Sequence, residues 1–299
     1  METATYQDVW ELLEHQLKTE IKLNWQATGP VVLAVDSEKG GVGKSGLAGG
    51  LVAVMAHHGY RVLAIDLDPR GTFTAELGAK LTGEEGEYSV NDLLYVDPKI
   101  DAAKRPPLKG LAAQALRSAA AEWGPNVQVL AAERALAHRE TDATVNLEHR
   151  LRVSLEGVAD QFDIVVMDLP PRAGGKLVAS GLLAATHVVF PGTLDPDGFD
   201  GISEARQTYA ILNETNGGKL VDVGIVRNIV DRRTSVAEVY DGKFVEAWGD
   251  RVLPVAIPRR VIRIESRTAC VPITVSNSQG AKDVINGYTA VLNHIGRAA

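Results

Sequence analysis

An unbroken apolar run, VVLAVD (31–36), leads straight into the glycine-rich turn SEKGGVGKS (37–45), and an Ala/Leu/Val-rich helix follows to about His58. This strand–loop–helix succession constrains the fold more than any other feature. A strand that is apolar at every position is buried on both faces, the situation in a parallel sheet covered by helices on both sides. The pattern recurs: RVLAIDLD (61–68), DIVVMDLPP (163–171), HVVFPG (187–192), VDVGIVRN (221–228) and VLPVAI (252–257) read as strands, and VQVLAAE (127–133) as a short one. Helices are expected near 89–95, 108–122 and 146–162, the last with Leu147, Leu151, Leu155 and Val158 on one side. The alternation predicts an α/β fold, a mostly parallel twisted sheet flanked by helices, over residues 29–299. Residues 1–28 read as an N-terminal helical extension. Tyr6, Val9, Trp10, Leu13, Leu17 and Ile21 form one amphipathic stripe, closed by Gly29-Pro30.

Composition narrows the function classes. A single cysteine, Cys270, leaves no disulfide framework and no cysteine-cluster site. It stands beside an apolar Val-Pro-Ile and reads as a small buried residue. The N-terminus has no apolar core, so no signal peptide is expected, and no apolar run approaches the ~18 residues of a membrane helix. A cytoplasmic protein is expected. The net charge of −7 disfavours a uniformly nucleic-acid-coating surface but permits a local basic patch. His57, His58, His138 and His149 lack metal-ligand spacing.

The turn at 37–45 carries the chemistry. Gly40, Gly41 and Gly43 let successive backbone N–H groups converge on one point, toward which the next helix directs its positive end. Lys44 supplies a point charge for the β- and γ-phosphates of a nucleotide, and Ser45 a hydroxyl for Mg²⁺. The general pattern GxxxxGK[ST] is not met, because Glu38 occupies the first glycine position. A second lysine, Lys39, precedes the glycines instead.

With that departure, KGGVGKS resembles the deviant Walker A motif of the ParA/MinD ATPases. VLAIDLDPRG (62–71) resembles the family's DxDPQG motif, and DIVVMDLPP its Walker B strand, in the same order. The resemblance implies a P-loop NTPase fold using ATP and Mg²⁺, closest to ParA-type partition ATPases. It implies nucleotide contacts from Lys39, Gly40, Gly41, Val42, Gly43, Lys44, Ser45 and Gly46. Lys39 matches the lysine that reaches across an ATP-dependent homodimer to the partner's phosphates. Asp68 matches the carboxylate that positions the attacking water. Asp66 and Asp168 match acidic residues near Mg²⁺, acting through water; the alternative for both is a capping carboxylate at a strand end. Asn228 stands where the family reads adenine, and IPRR (257–260), with Pro258 and Arg259, resembles the loop closing over the base. Arg70 replaces the usual Gln and Thr72 the usual Asn or Ser, a change in the switch region beside Asp68 that could alter the hydrolysis rate, slow turnover included, or the partner response. Gly46, Gly49 and Gly50 at the start of the helix imply close packing or motion there.

Between Arg227 and Arg267 lie nine basic and six acidic residues, a basic region on an acidic chain. Arg232, Arg233, Arg259, Arg260, Arg263 and Arg267 are the candidates for contacting DNA phosphates without base readout. For each, the alternative is a solvated face or an ion pair. The resemblance then implies a switch that dimerises on ATP and binds non-specific DNA at the nucleoid. It would segregate or position plasmid DNA, chromosomal DNA or other cargo, with hydrolysis stimulated by a ParB-like or adaptor partner. Two alternatives share the fold. One is an ATP-dependent small-molecule enzyme of the dethiobiotin-synthetase type. The other is a MinD-like membrane-associated ATPase. Against the latter, the terminal stripe Val284, Ile285, Tyr288, Val291, Leu292 and Ile295 is flanked by few cations and reads as a core-packing helix.

Overall fold

The computed structural model describes residues 9–84, 86–172 and 174–299. Eight strands form one sheet: β1 Val31–Val35, β2 Val62–Asp66, β3 Leu116–Ser118, β4 Val127–Leu130, β5 Ile164–Asp168, β6 His187–Gly192, β7 Val221–Val230 and β8 Val252–Pro258. Their order is β3-β4-β2-β5-β1-β6-β7-β8, and every pairing is parallel except β3 with β4. The all-apolar runs thus become the strands they predict, with β1 and β5 buried at every residue.

Ten α-helices accompany the sheet among the described residues: α1 Val9–Lys18, α2 Lys44–His57, α3 Thr72–Glu76, α4 Val90–Leu94, α5 Leu147–Leu155, α6 Lys176–Ala184, α7 Pro196–Thr215, α8 Val236–Trp248, α9 Val261–Thr268 and α10 Gln279–Ala298. Alternate strand residues face two separate cores. Val32 and Ala34 of β1 join a cluster with residues of α1 and α4 to α8. Val31, Leu33 and Val35 join one with α2, α3 and α10. The terminal stripe Val284, Tyr288, Val291, Leu292 and Ile295 lies inside the second cluster, as a core-packing helix should. No helix among the described residues is long and apolar enough to cross a membrane.

Three local expectations are corrected. The Ala-rich stretch 108–122 is not a helix; it makes a 3₁₀ turn at Leu111–Ala115, the edge strand β3 and a second 3₁₀ turn at Ala121–Trp123. Pairing with β4, and the bond from Ala120 N–H to Leu77 O at 2.9 Å, override the helical propensity of alanine. The helix expected over 146–162 stops at Leu155, because Gly157 turns left-handed with φ of 76°. The N-terminal helix stops at Lys18, and Ile21 lies on a strap beyond it; Tyr6 lies outside the described residues. That strap is pinned to α10 by two side chains seven residues apart. Asn286 Oδ1 accepts from Ile21 N–H (3.2 Å), and Asn293 Oδ1 accepts from Asn24 N–H (2.7 Å). Helix α1 itself packs on β8 and α10, with Val9, Leu12 and Leu13 in the first core. Gln16 Oε1 there accepts from Ala256 N–H at 2.8 Å.

Candidate functional site

The carboxyl ends of β1, β2, β6, β7 and β8 open onto one cleft of about 1130 Å³, where a doubly wound parallel sheet binds its ligands. The glycine loop is its floor. Gly41 and Gly43 adopt left-handed φ values of 90° and 86°. At Gly43 a Cβ would lie 2.7 Å from both Asn228 Nδ2 and Ile229 Cδ1, so glycine is required twice over. Ile229, β-branched with φ of 53°, holds a costly conformation where β7 meets the loop. Lys44 is buried and folds back beneath the loop, donating to Ser37 O at 2.7 Å and Lys39 O at 3.0 Å. Burial pulls its ammonium below the usual lysine range, against the opposing pull of Asp168, Asp36 and Asp68. Glu38, at the position of the missing glycine, accepts from Thr208 of α7 and from Gly174 N–H at 3.3 Å, stitching the loop to its neighbours.

The carboxylates divide by role. Asp66 and Asp168 are paired in register on adjacent strands. Asp66 accepts from Asp68 N–H (3.0 Å), Thr74 N–H (2.7 Å) and Thr74 Oγ1 (2.8 Å), so it braces the turn into α3. Burial pushes its carboxyl up to about 6. Asp168 Oδ2 accepts from Ser45 Oγ at 2.5 Å, while its Oδ1 is buried without a partner. Burial, reinforced by Asp66, pushes Asp168 well above the usual range. A hydroxyl and an unsatisfied buried carboxylate oxygen, side by side under the phosphate loop, fit a Mg²⁺ ion. Among the described residues no three His, Cys, Asp or Glu could hold a metal alone, so the remaining ligands would come from water and phosphate.

The far wall of the cleft is basic: Arg259, Arg260, Arg263 and Arg267 all line it together with the loop. Arg263 is a correction. It is not a surface arginine available to DNA but a buried one, donating through Nη2 to Glu76 Oε1 (2.6 Å) and Gly46 O (2.8 Å), and through Nε to Tyr288 Oη (3.1 Å). A Cβ at Gly49 would meet Glu76 Oε1 at 2.1 Å, and one at Gly50 the Tyr288 ring at 2.3 Å. Those two glycines therefore serve close packing around this buried cluster, while Gly46 faces open space. Arg260 is half-buried and pairs with Asp283 at 2.8 Å. Arg233 and Arg259 flank Asp231 at 2.6 and 3.7 Å. Arg232 pairs with Glu14 at 3.2 Å. Arg232, Arg233, Arg259 and Arg267 are exposed, whereas Arg260 and Arg263 are not. Arg227, counted with the basic region, is buried against Asp241.

Asn228 lines the cleft, but its Nδ2 donates to Val42 O (2.8 Å) and Gly43 O (3.3 Å), a loop-supporting role that leaves the amide less free for a base than expected. Pro258 and Arg259 line the cleft beside it, at the end of the neighbouring strand β8, where Arg259 N–H donates to Val230 O at 2.9 Å. Of the expected nucleotide contacts, Gly40 and Val42 do not line the cleft, and Lys39 turns away from it. The Lys39 Nζ lies 2.6 Å from Asp197 Oδ1 at the start of α7. Cys270 is half-buried at the cleft, not fully buried, with φ of 56° and its Sγ donating to Ala75 O at 3.1 Å.

Asp36 escaped the sequence reading, although an aspartate ending an all-apolar strand one residue before the loop was a visible signal. It is fully buried, both carboxylate oxygens lack a partner, and burial pushes it up to about 7. The folded state therefore binds its proton more tightly than the unfolded chain, whose carboxyl titrates near 4. This contribution favours folding at low pH and fades as pH rises from about 4 through 7. Asp36→Asn is expected to raise the Tm of the nucleotide-free protein by several degrees at pH 8 and by little at pH 4. Thermal melts across that range check it, and an unchanged pH slope would refute the assignment.

A glycine loop of this shape, between a central parallel strand and the helix after it, defines a P-loop nucleotide-binding protein. The AAA domain family matches residues 31–220. The sporulation initiation inhibitor protein Soj of Bacillus subtilis is 28% identical over 256 residues, spanning 84% of this chain and 94% of Soj. The chromosome partitioning protein ParA of Caulobacter vibrioides is 29% identical over 235 residues, spanning 77% and 81%. Among solved structures, the cobyrinic acid a,c-diamide synthase of Mycobacterium smegmatis with bound ADP and magnesium matches with a TM-score of 0.67 at 25% identity. That match covers 87% of this chain and 91% of the synthase. The chain belongs to the ParA/MinD family of P-loop ATPases.

Proposed function

We propose that this protein is an ATP-hydrolysing switch of the ParA type. The observation that carries the reading is the joint placement of Lys44, Ser45 and Asp168 around one loop, with Asp168 Oδ1 left for a hydrated cation. ATP would lie along residues 40–46, its phosphates on the backbone N–H groups and Lys44. Ser45 and Asp168 would hold Mg²⁺, directly or through water, and the ion when bound offsets charge on the β- and γ-phosphates. Asp68 would orient the attacking water, and Asp66 keeps Asp68 in place through its backbone N–H. Lys39, turned out of its own cleft, would serve the site of a second copy, which makes the active form an ATP-bound homodimer.

Likeness to a chromosome partitioning ParA supports DNA or DNA-borne cargo as what the switch acts on, and a ParB-like or adaptor partner would accelerate hydrolysis. Of the six candidate arginines, Arg232, Arg233, Arg259 and Arg267 are exposed, and Arg232 is engaged with Glu14. A second reading, an ATP-dependent small-molecule enzyme, is favoured by the cleft. It is larger than an ordinary ligand pocket, and its arginine wall would suit a second anionic substrate.

Binding to a random-sequence DNA duplex, with ATP–Mg²⁺ and with ADP–Mg²⁺ across a salt series, separates the two. The switch reading expects binding only with ATP, weakening steeply with salt, because each neutralised phosphate adds about one unit of slope. Charge reversal at Arg233, Arg259 and Arg267 is expected to remove it. No binding in either nucleotide state would favour the enzyme reading, whose mark is turnover that requires a metabolite and ignores DNA.

A further inference from the structure

Arg70 folds back onto Asp68 and engages both carboxylate oxygens. Its Nη2 donates to Oδ2 at 2.7 Å, its Nε to Oδ2 at 3.0 Å and to Oδ1 at 3.3 Å, and its backbone N–H to Oδ1 at 3.0 Å. A carboxylate offers about four lone-pair sites, and this fork uses most of them. The pair straddles the wall of the cleft. The Asp68 side chain is 6% exposed and that of Arg70 65%, so the guanidinium lies between the carboxylate and the open space where water and phosphate would sit. The other groups facing this point are Lys44, Asp66 and Asp168. Asp66 holds Asp68 through the backbone only, so nothing but Arg70 is bonded to the Asp68 carboxylate among the described contacts.

We propose that Arg70 is a built-in latch on Asp68, a positioning residue that keeps the carboxylate from orienting the attacking water and so sets a slow basal rate of ATP hydrolysis. This rests on the ATPase reading and deepens it: turnover requires the ion pair to open first. The latch is local and reversible. Its guanidinium is mostly in solvent, so the pair opens at modest cost and weakens with salt. Residue 70 thereby becomes the position that tunes resting turnover. Glutamine there could still hydrogen-bond the carboxylate but could not hold it with charge.

The test uses the full chain and steady-state ATP hydrolysis without DNA or partner, beside direct binding of a fluorescent ATP analogue. Arg70→Gln is expected to raise kcat about tenfold, the factor for ~1.4 kcal/mol of barrier, with KM unchanged. Arg70→Lys, which keeps the charge and loses the fork, is expected to fall between wild type and Arg70→Gln. The wild-type rate is expected to rise with ionic strength and that of Arg70→Gln to stay flat, a readout that a merely structural role would not move. If both variants bind the analogue and Arg70→Gln hydrolyses ATP at the wild-type rate or slower, the latch is wrong. If wild type and variants neither bind nor hydrolyse ATP, the ATPase reading fails and takes the latch with it.

Discussion

Lys39→Ala is expected to lower kcat for ATP hydrolysis by about 10³-fold, the scale of a charge supplied from outside the site, and to leave ATP affinity unchanged. The argument rests on where the two lysines of the loop go. Lys44 is buried beneath the glycines and belongs to its own cleft. Lys39 is nearly half exposed and, among the described contacts, its ammonium is held by Asp197 in a solvent-facing pair. Its hydrogen bond to the Asp197 carboxylate raises its already high pKa, so the ammonium is charged throughout the physiological range. An exposed pair of this kind contributes little stability, so Lys39 can leave Asp197 for a phosphate at small cost. Truncating it leaves the loop's bond from Lys44 in place, because Lys44 donates to the Lys39 backbone carbonyl and not to its side chain. A mixing experiment separates action in trans from action in cis. Lys39→Ala retains an intact loop, and Lys44→Ala retains Lys39. If Lys39 serves the partner subunit, mixing the two inactive proteins restores part of the activity, because the hybrid dimer contains one complete site. An inactive mixture, with hybrid dimers demonstrated, would show that Lys39 acts on its own nucleotide or not at all.

The parts of this site that were legible in the sequence are those with short-range causes. Residues 31–58 read directly, because an all-apolar strand, a glycine turn that needs left-handed φ, and a helix start lie within thirty residues of one another. Asp66, Asp68 and Asp168 were reached through the resemblance of their motifs, and the structure ends the buried strands β2 and β5 on Asp66 and Asp168. Asp66 then proved to brace the turn through Thr74, the capping role left open for it. What could not be read depends on distant partners. Three residues of β3 form an edge strand only because β4 is there to pair with. The strap after α1 is set by Asn286 and Asn293, more than 260 residues away. Most plainly, a charge count along 227–267 treats every arginine alike. Arg227 and Arg263 are buried against Asp241 and Glu76, whereas Arg233 stands in solvent beside Asp231. Local charge density measures how many cations a segment has, and burial decides which of them can meet a ligand.

Arg263→Ala is expected to destabilise the protein by about 3–5 kcal/mol, the cost of leaving one member of a buried ion pair alone. The Glu76 side chain is 1% exposed and that of Arg263 13%. Glu76 Oε1 accepts from Arg263 at 2.6 Å, and its Oε2 has no other partner. Without the guanidinium, Tyr288 Oη and Gly46 O each lose a donor as well. Denaturant unfolding is expected to show a lower midpoint with an unchanged slope. The effect has a defined pH dependence. Burial already holds Glu76 above the usual carboxylate range in spite of Arg263, and removing the cation raises it further. Folding then favours the protonated acid, so the deficit relative to wild type is expected to shrink as pH falls from 8 to 5. Replacing both partners, Arg263→Met with Glu76→Leu, is expected to recover most of the loss, since two apolar groups leave no orphaned charge. A single variant as stable as wild type would mean that water or a neighbouring side chain replaces the arginine. The cluster joins Gly46 of the loop helix, Glu76 of the helix after Asp68, and α9, which carries Arg263 and Arg267 of the far wall. Any charge reversal on that wall meant to test DNA binding must therefore keep Arg263. A lost signal from a variant lacking it would report unfolding of the nucleotide site rather than a lost phosphate contact.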